Sequence, residues 1–227
     1  MAAGTFGLAA VALLATVGAA HTASSSPTAA PQVAARGPDA ARQLEQLMRA
    51  GELGSWSVTY AFTRTLADGR VLRQPEQEAR DPSIHVLRSG SVMTVDRGAH
   101  SYDCNLTGTR FACTESAAGT ALPPSEVLRV AVSVGAYDVT DVSPINIAGA
   151  PARCFRVLAT GHGQLPDLGL ETDMCFSAAG VPLLQRVVRA SGDIDERVAR
   201  SVVTPVTART IEATVEGLDP NRAPRQQ

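Results

Sequence analysis

The stretch YDCNLTGTRFACTES, residues 102–116, holds two of the four cysteines of this chain around a Gly-Thr pair. Glycine at the first position of a two-residue loop is what a type II′ turn requires. Folding on Gly108–Thr109 sets Thr107 opposite Arg110, Leu106 opposite Phe111 and Cys104 opposite Cys113. Counting outward from the turn, the outer cysteine pair is a non-hydrogen-bonded one, whose Cα atoms lie about 4.5 Å apart, within disulfide range. ARCFRVLATGHGQLPDLGLETDMCF repeats the logic. If Cys154 faces Cys175, Arg156 faces Asp173 as a favourable charge pair, and Phe155 faces Met174 on the other side. Its connection, GHGQLPDLG, is rich in turn formers. Four cysteines allow three connectivities, and these two registers predict 104–113 with 154–175. Loop closure alone gives such staples about 2.7 and about 3.4 kcal/mol.

Metal and redox chemistry fit the cysteines less well. Zinc sites favour close Cys-x-x-Cys or His pairs, and this chain has neither; His21, His85, His100 and His162 are scattered. Structural disulfides belong to oxidising compartments, so an extracytoplasmic domain is expected, secreted or in a cell envelope.

The N-terminus agrees. MAAGTFGLAAVALLATVGAA, residues 1–20, is an apolar stretch followed by small residues. It reads as a signal peptide cleaved after Ala19 or Ala20, or as a retained membrane anchor of nearly spanning length. It lacks a positive n-region, and no cysteine near the cleavage zone offers a lipid attachment site. Residues 21–38, rich in Ala, Ser and Pro, are expected to be a flexible linker reaching about 25 Å. Residues 39–218 would form one domain, and residues 219–227 a disordered tail. The formal net charge of −2 gives no footprint for nucleic acid. Every one of the 20 basic residues is arginine, which excludes lysine Schiff-base and Ser-Lys chemistry.

Within the domain, DAARQLEQLMRA places Ala40, Leu44, Leu47 and Met48 on one helical stripe, with Asp39 at its start and Gly51 as a stop. The period then drops to two: Trp56, Val58, Tyr60 and Phe62 alternate with small and polar residues, and Asp68-Gly69 turns the chain. SIHVLRS, SVMTVDR, HSYDC and RFACTE follow as short strands. A second helix in PPSEVLRVAVSVG is expected to be capped by Ser125, with Val127, Leu128 and Ala131 on one face. AYDVTDV, INIAG, ARCFRVLAT, LETDMCFS and PLLQRVVRASG return to strands, and VARSVVTPVTARTIEAT reads as a strand and a short terminal segment. The expected fold is α+β: a large curved antiparallel sheet with a helix or two packed on one face.

No catalytic motif appears: G-x-S-x-G, H-E-x-x-H, P-loop and dinucleotide fingerprints are missing. His162 lies between two glycines and reads as an exposed loop residue; His85 and His100 have no acidic partner identifiable from sequence. Asp193, Asp195 and Glu196 cluster as a Ca²⁺ site would, without EF-hand spacing, and read as a solvated hairpin turn. No metal or cofactor is expected. A curved sheet closed by helices can instead leave a cavity, lined by Leu47, Met48, Trp56, Val58, Tyr60, Phe62, Val127 and Leu128, or these residues can simply fill a core.

INIAGAPARCFRV, MCFSAAGVPLLQRVV and VARSVVTPVTARTI carry a resemblance. Their Gly-containing turn, Cys-bearing strand, CF…G…LL strand pair and late Ser-Val strand recur in actinobacterial exported proteins and resemble the LolA-like family of periplasmic lipoprotein carriers and mycobacterial lipid-carrying lipoproteins. The resemblance spans residues 39–216 as an order of elements. It implies a half-barrel around an apolar cavity, a non-enzymatic role in binding or carrying a lipid or other amphiphile, and acyl chains as ligands. It also implies an alternative, an envelope-stress sensor docking on a membrane protein; a structural domain without ligand is the third expectation. The departure is the missing lipid-modified cysteine of the mycobacterial members.

Overall fold

The computed structural model describes residues 37–107, 110–116, 122–161, 165 and 168–214. The N-terminal segment 1–20, most of the linker, the Gly108–Thr109 loop, His162 and the tail 219–227 lie outside the described residues. Among those described, no helix is long and apolar enough to cross a membrane.

In chain order the elements are α1 (Pro38–Leu53), β1 (Trp56–Thr65), β2 (Val71–Asp81), β3 (Ile84–Ser89), β4 (Val92–Arg97), β5 (His100–Thr107), β6 (Arg110–Ser116), α2 (Pro124–Ser133), β7 (Tyr137–Ile147), β8 (Ala150–Ala159), β9 (Glu171–Phe176), β10 (Pro182–Val188), β11 (Ile194–Val203) and α3 (Ala208–Thr214). The strands form one curved antiparallel sheet in the order β6-β5-β4-β3-β2-β1-β11-β10-β9-β8-β7. Two meanders, β1 to β6 and β7 to β11, are thus joined along the β1–β11 ladder.

Both cysteine registers hold. Cys104 pairs with Cys113, Leu106 with Phe111 and Thr107 with Arg110. Cys154 pairs with Cys175, Phe155 with Met174 and Arg156 with Asp173, whose side chains are bonded at 2.7 Å. No described cysteine is free.

Among the described residues, three apolar clusters hold the fold. The first lies beneath α1 and α2, where Ala40, Leu44, Leu128 and Ala131 meet Tyr137, Phe155, Met174 and Phe176 of the second meander. The second gathers Trp56, Val58 and Tyr60 of β1 with Leu183 and the Cys154–Cys175 bridge. The third holds Ala79, Val86, Met93, Val95 and Cys104 under Ile211 of α3. Neighbouring residues of a strand point to opposite faces, so α3 on Ala79 covers the face opposite to Glu78. Among the described helices, α1 and α2 occupy the cavity side.

Local structure departs from the sequence reading in four places. Strand β2 continues through QPEQEARD, which carries no apolar alternation. The segments AYDVTDV and INIAG are one strand, β7, with a register irregularity between Val142 and Ile145. Gly51 does not stop α1 but lies inside it, buried, because the turn at Gly180 presses on it: a Cβ on Gly51 would stand 2.2 Å from the Gly180 carbonyl oxygen. Ser125 does not cap α2. Its N–H and hydroxyl donate to the Glu52 carboxylate at 2.8 and 2.6 Å, so α1 supplies the acceptor for the start of α2.

Candidate functional site

Between the sheet and the two helices α1 and α2 lies a cavity of about 770 Å³. Its walls differ in chemistry. Helix α1 contributes Met48, the α2 region Leu122 and Val127, and the β9 region Leu168, Met174 and Phe176. These form an apolar wall. The facing wall is built from β11, β1, β2 and β3, whose cross-strand register sets charged residues side by side on one face. Arg197 pairs with Phe62, Asp195 with Arg64, Glu76 with Tyr60 and Ser89, and Arg80 with Trp56 and His85.

Arg197 is the centre of that wall. It is mostly buried, and its guanidinium lies over the Tyr60 ring at 4.4 Å from the centroid. One Nη2 donates to Glu78 Oε2 at 2.7 Å. Its Nε sits 2.9 Å from Glu76 Oε2, an ion-pair contact rather than an aligned hydrogen bond. Ser89 donates to the other oxygen of Glu76 at 2.8 Å. The Tyr60 hydroxyl donates to the Pro182 carbonyl at 2.9 Å; burial, reinforced by Glu78, pushes its phenol well above the usual value.

Glu78 also meets His85, with Oε1 3.0 Å from Nε2, while Asp96 Oδ2 lies 3.3 Å from Nδ1. Burial opposes the charge on Glu78, yet the hydrogen bond with His85 and the charge of Arg197 outweigh it and hold the carboxyl at about 2. Burial likewise opposes the charge on His85, but its bonds to Asp96 and Glu78 win and raise its pKa. Both ring nitrogens face carboxylates, and only the imidazolium has an N–H on each. Glu78 and Asp96 are thus the acidic partners of His85 that the sequence alone does not identify. Glu115 plays that part for His100, with Oε1 2.6 Å from Nδ1.

Asp195 corrects the solvated-turn reading. It is 7% exposed, and Arg64 grips it through two bonds of 2.5 and 2.8 Å while Arg189 Nε donates at 2.8 Å. Desolvation raises its pKa, but the two arginines prevail and lower it. Asp193 instead accepts the Ala67 N–H at 2.9 Å, which ties the β1–β2 and β10–β11 turns together. Among the described residues no cluster could hold a metal ion.

The residues expected at a cavity divide. Met48, Trp56, Phe62 and Val127 line it. Leu47 packs on the first apolar cluster, Leu128 and Val58 are fully buried in core, and Tyr60 is covered by Arg197. Reading the sequence missed the charged wall, above all Glu76, Glu78, Arg197 and Arg64. Alternating charge in QPEQEARD and DIDERVAR is its trace: residues 76, 78 and 80 of one strand and 195 and 197 of another lie at period two.

No family model matches the chain, and no curated protein is similar to it. Among solved structures, one from the MucA/MucB complex of Pseudomonas aeruginosa is similar at a TM-score of 0.50 and 14% identity, over 76% of this chain and 60% of that one. This chain therefore spans less than two thirds of that structure's length. A LolA superfamily protein from Nitrosomonas europaea aligns at TM-score 0.34 and 7% identity over 76% and 96% of the two chains. LprF from Mycobacterium bovis aligns at 0.38 and 10% over 76% and 97%. LolA superfamily proteins, which the order of elements in the sequence resembled, are thus among the solved structures similar to this chain, and these likenesses concern the fold alone.

Proposed function

We propose that this chain binds an amphiphile, a lipid or a molecule of similar build, in the cavity under α1 and α2, outside the cytoplasm and without turning it over. The observation that carries this reading is the contrast between the walls. An acyl chain laid against Met48, Val127, Met174 and Phe176 would be favoured by about 25 cal/mol per Å² of apolar surface removed from water. A polar head would then meet the hydrogen-bonding groups of β2 and β11. Binding rather than catalysis is supported by His85, whose two nitrogens are both committed to carboxylates, and by cysteines that are all in disulfides among the described residues. The disulfides also support the extracytoplasmic setting.

A second reading, a sensor of envelope stress that docks on a membrane protein, is favoured by the likeness to the MucA/MucB complex. Solvent extraction of protein purified without detergent from its own envelope, followed by mass spectrometry, separates the two. A stoichiometric acyl-bearing species supports amphiphile binding. A clean extract from protein that co-purifies with one membrane protein supports the second reading and counts against the first.

A further inference from the structure

The charged wall of the cavity is compensated from within. Among the described residues the cavity lining carries four arginines, Arg64, Arg80, Arg189 and Arg197, and four carboxylates, those of Glu52, Glu76, Glu78 and Asp195. They balance in number, and all but Arg80 and Glu52 sit in ion pairs within the wall. Arg197 serves Glu76 and Glu78. Arg64 and Arg189 converge on Asp195. Arg80 and Glu52 meet at the end of α1, where the guanidinium donates to the Glu52 backbone carbonyl at 3.1 Å while the Glu52 carboxylate is taken by Ser125. His85 stands between Glu78 and Asp96.

A wall so paired is poor ground for a charged head. An anion seated beside β1 and β11 must draw Arg64, Arg189 or Arg197 away from its carboxylate, and a cation must do the converse; either leaves a charge of the wall without its partner, the costly arrangement. A head bearing hydroxyls or amides faces no such conflict. It can accept from guanidinium N–H groups and donate to carboxylate lone pairs that one ion pair does not saturate. Gln74, Ser89 and Gln185 on the same wall add neutral donors and acceptors. Trp56 and Phe62 give it aromatic faces.

We infer that the cavity selects amphiphiles with an uncharged, hydroxyl- or amide-bearing head over those with an anionic or cationic one. The inference rests on the amphiphile reading above, so its test uses one tail and three heads: 1-monodecanoylglycerol, decanoate and decyltrimethylammonium, each below its micellar concentration, titrated into the full-length folded protein. The glycerol ester binds more tightly than either ion, by about tenfold or more. Equal or tighter binding of decanoate or of the ammonium overturns the selectivity while leaving amphiphile binding intact. If none of the three binds, the amphiphile reading falls and the selectivity with it.

Substitution supplies a second readout. Asp195→Asn removes the carboxylate shared by Arg64 and Arg189, and Glu78→Gln removes one partner of Arg197. In whichever of the two variants keeps the native circular dichroism spectrum, affinity for decanoate relative to the glycerol ester rises by about tenfold. An unchanged ratio in a folded variant would refute the role of charge compensation.

Discussion

Replacing Gly180 by alanine tests the contact that seats α1 on the sheet. Gly180 has φ +78°, and a Cβ there would stand 2.3 Å from the Leu47 carbonyl oxygen and 2.5 Å from the Gly51 nitrogen. Two costs add. An L-residue in the left-handed region loses about 1–2 kcal/mol, and the clash, which meets helix backbone rather than a flexible side chain, adds about 1–3 kcal/mol. The helix must retreat by roughly 1 Å to restore ordinary contact. That retreat strains the hydrogen bond from Trp56 Nε1 to the Gly51 carbonyl, now 2.8 Å. The expected loss is therefore about 2–5 kcal/mol. Gly149→Ala is the matched control: φ is +77°, but nothing lies within 4 Å of the added Cβ, so only the conformational cost applies. Urea unfolding without reductant, followed by the fluorescence of the single tryptophan Trp56, measures both. If Gly180→Ala costs no more than Gly149→Ala, the close seat of α1 on the β9–β10 turn is wrong.

The raised pKa of His85 makes the protonated form the stabilising one. Its contribution is complete below the unfolded value near 6.5 and is lost as pH rises through the higher folded value, so the urea midpoint falls on that upward titration and the fall is absent in His85→Gln; a midpoint that instead rises there contradicts the two-carboxylate clamp. Glu52→Ala takes from α2 the acceptor for the Ser125 N–H and hydroxyl and is expected to cost about 1–2 kcal/mol. Amide exchange should quicken in α2 first; uniform quickening across the sheet would argue against a local link.

What the sequence disclosed was whatever is encoded locally. The registers 104/113 and 154/175 follow from turn length and spacing, and the stripe of α1 and the alternation of β1 follow from period. The charged wall was hidden because its partners are distant: 119 residues separate Arg197 from Glu78 and 131 separate Arg64 from Asp195. Strand β2 escaped for the same reason, since Glu76 and Glu78 can leave water only once β11 delivers Arg197 beside them. Gly51 resembled a helix stop because its real constraint, the Gly180 backbone, comes from a remote turn. Ser125 looked like a cap because nothing near it in sequence announces that Glu52 will do the capping.

The union of the two meanders along β1 and β11 has a consequence for how the chain matures. Each disulfide closes a hairpin inside one meander, Cys104–Cys113 in the first and Cys154–Cys175 in the second, and neither crosses the junction. Oxidation can therefore finish in each half as it emerges, before the junction exists, and it commits neither half to a wrong partner. The junction itself closes a loop from Ser57 to Val203, the kind of non-local pairing that forms slowly. Its late fasteners are reversible ones: the β1–β11 ladder, the arginine–carboxylate pairs across it, and α1, which starts in the first half and lies on the second. A chain built this way is covalently closed in pieces and assembled without covalent commitment.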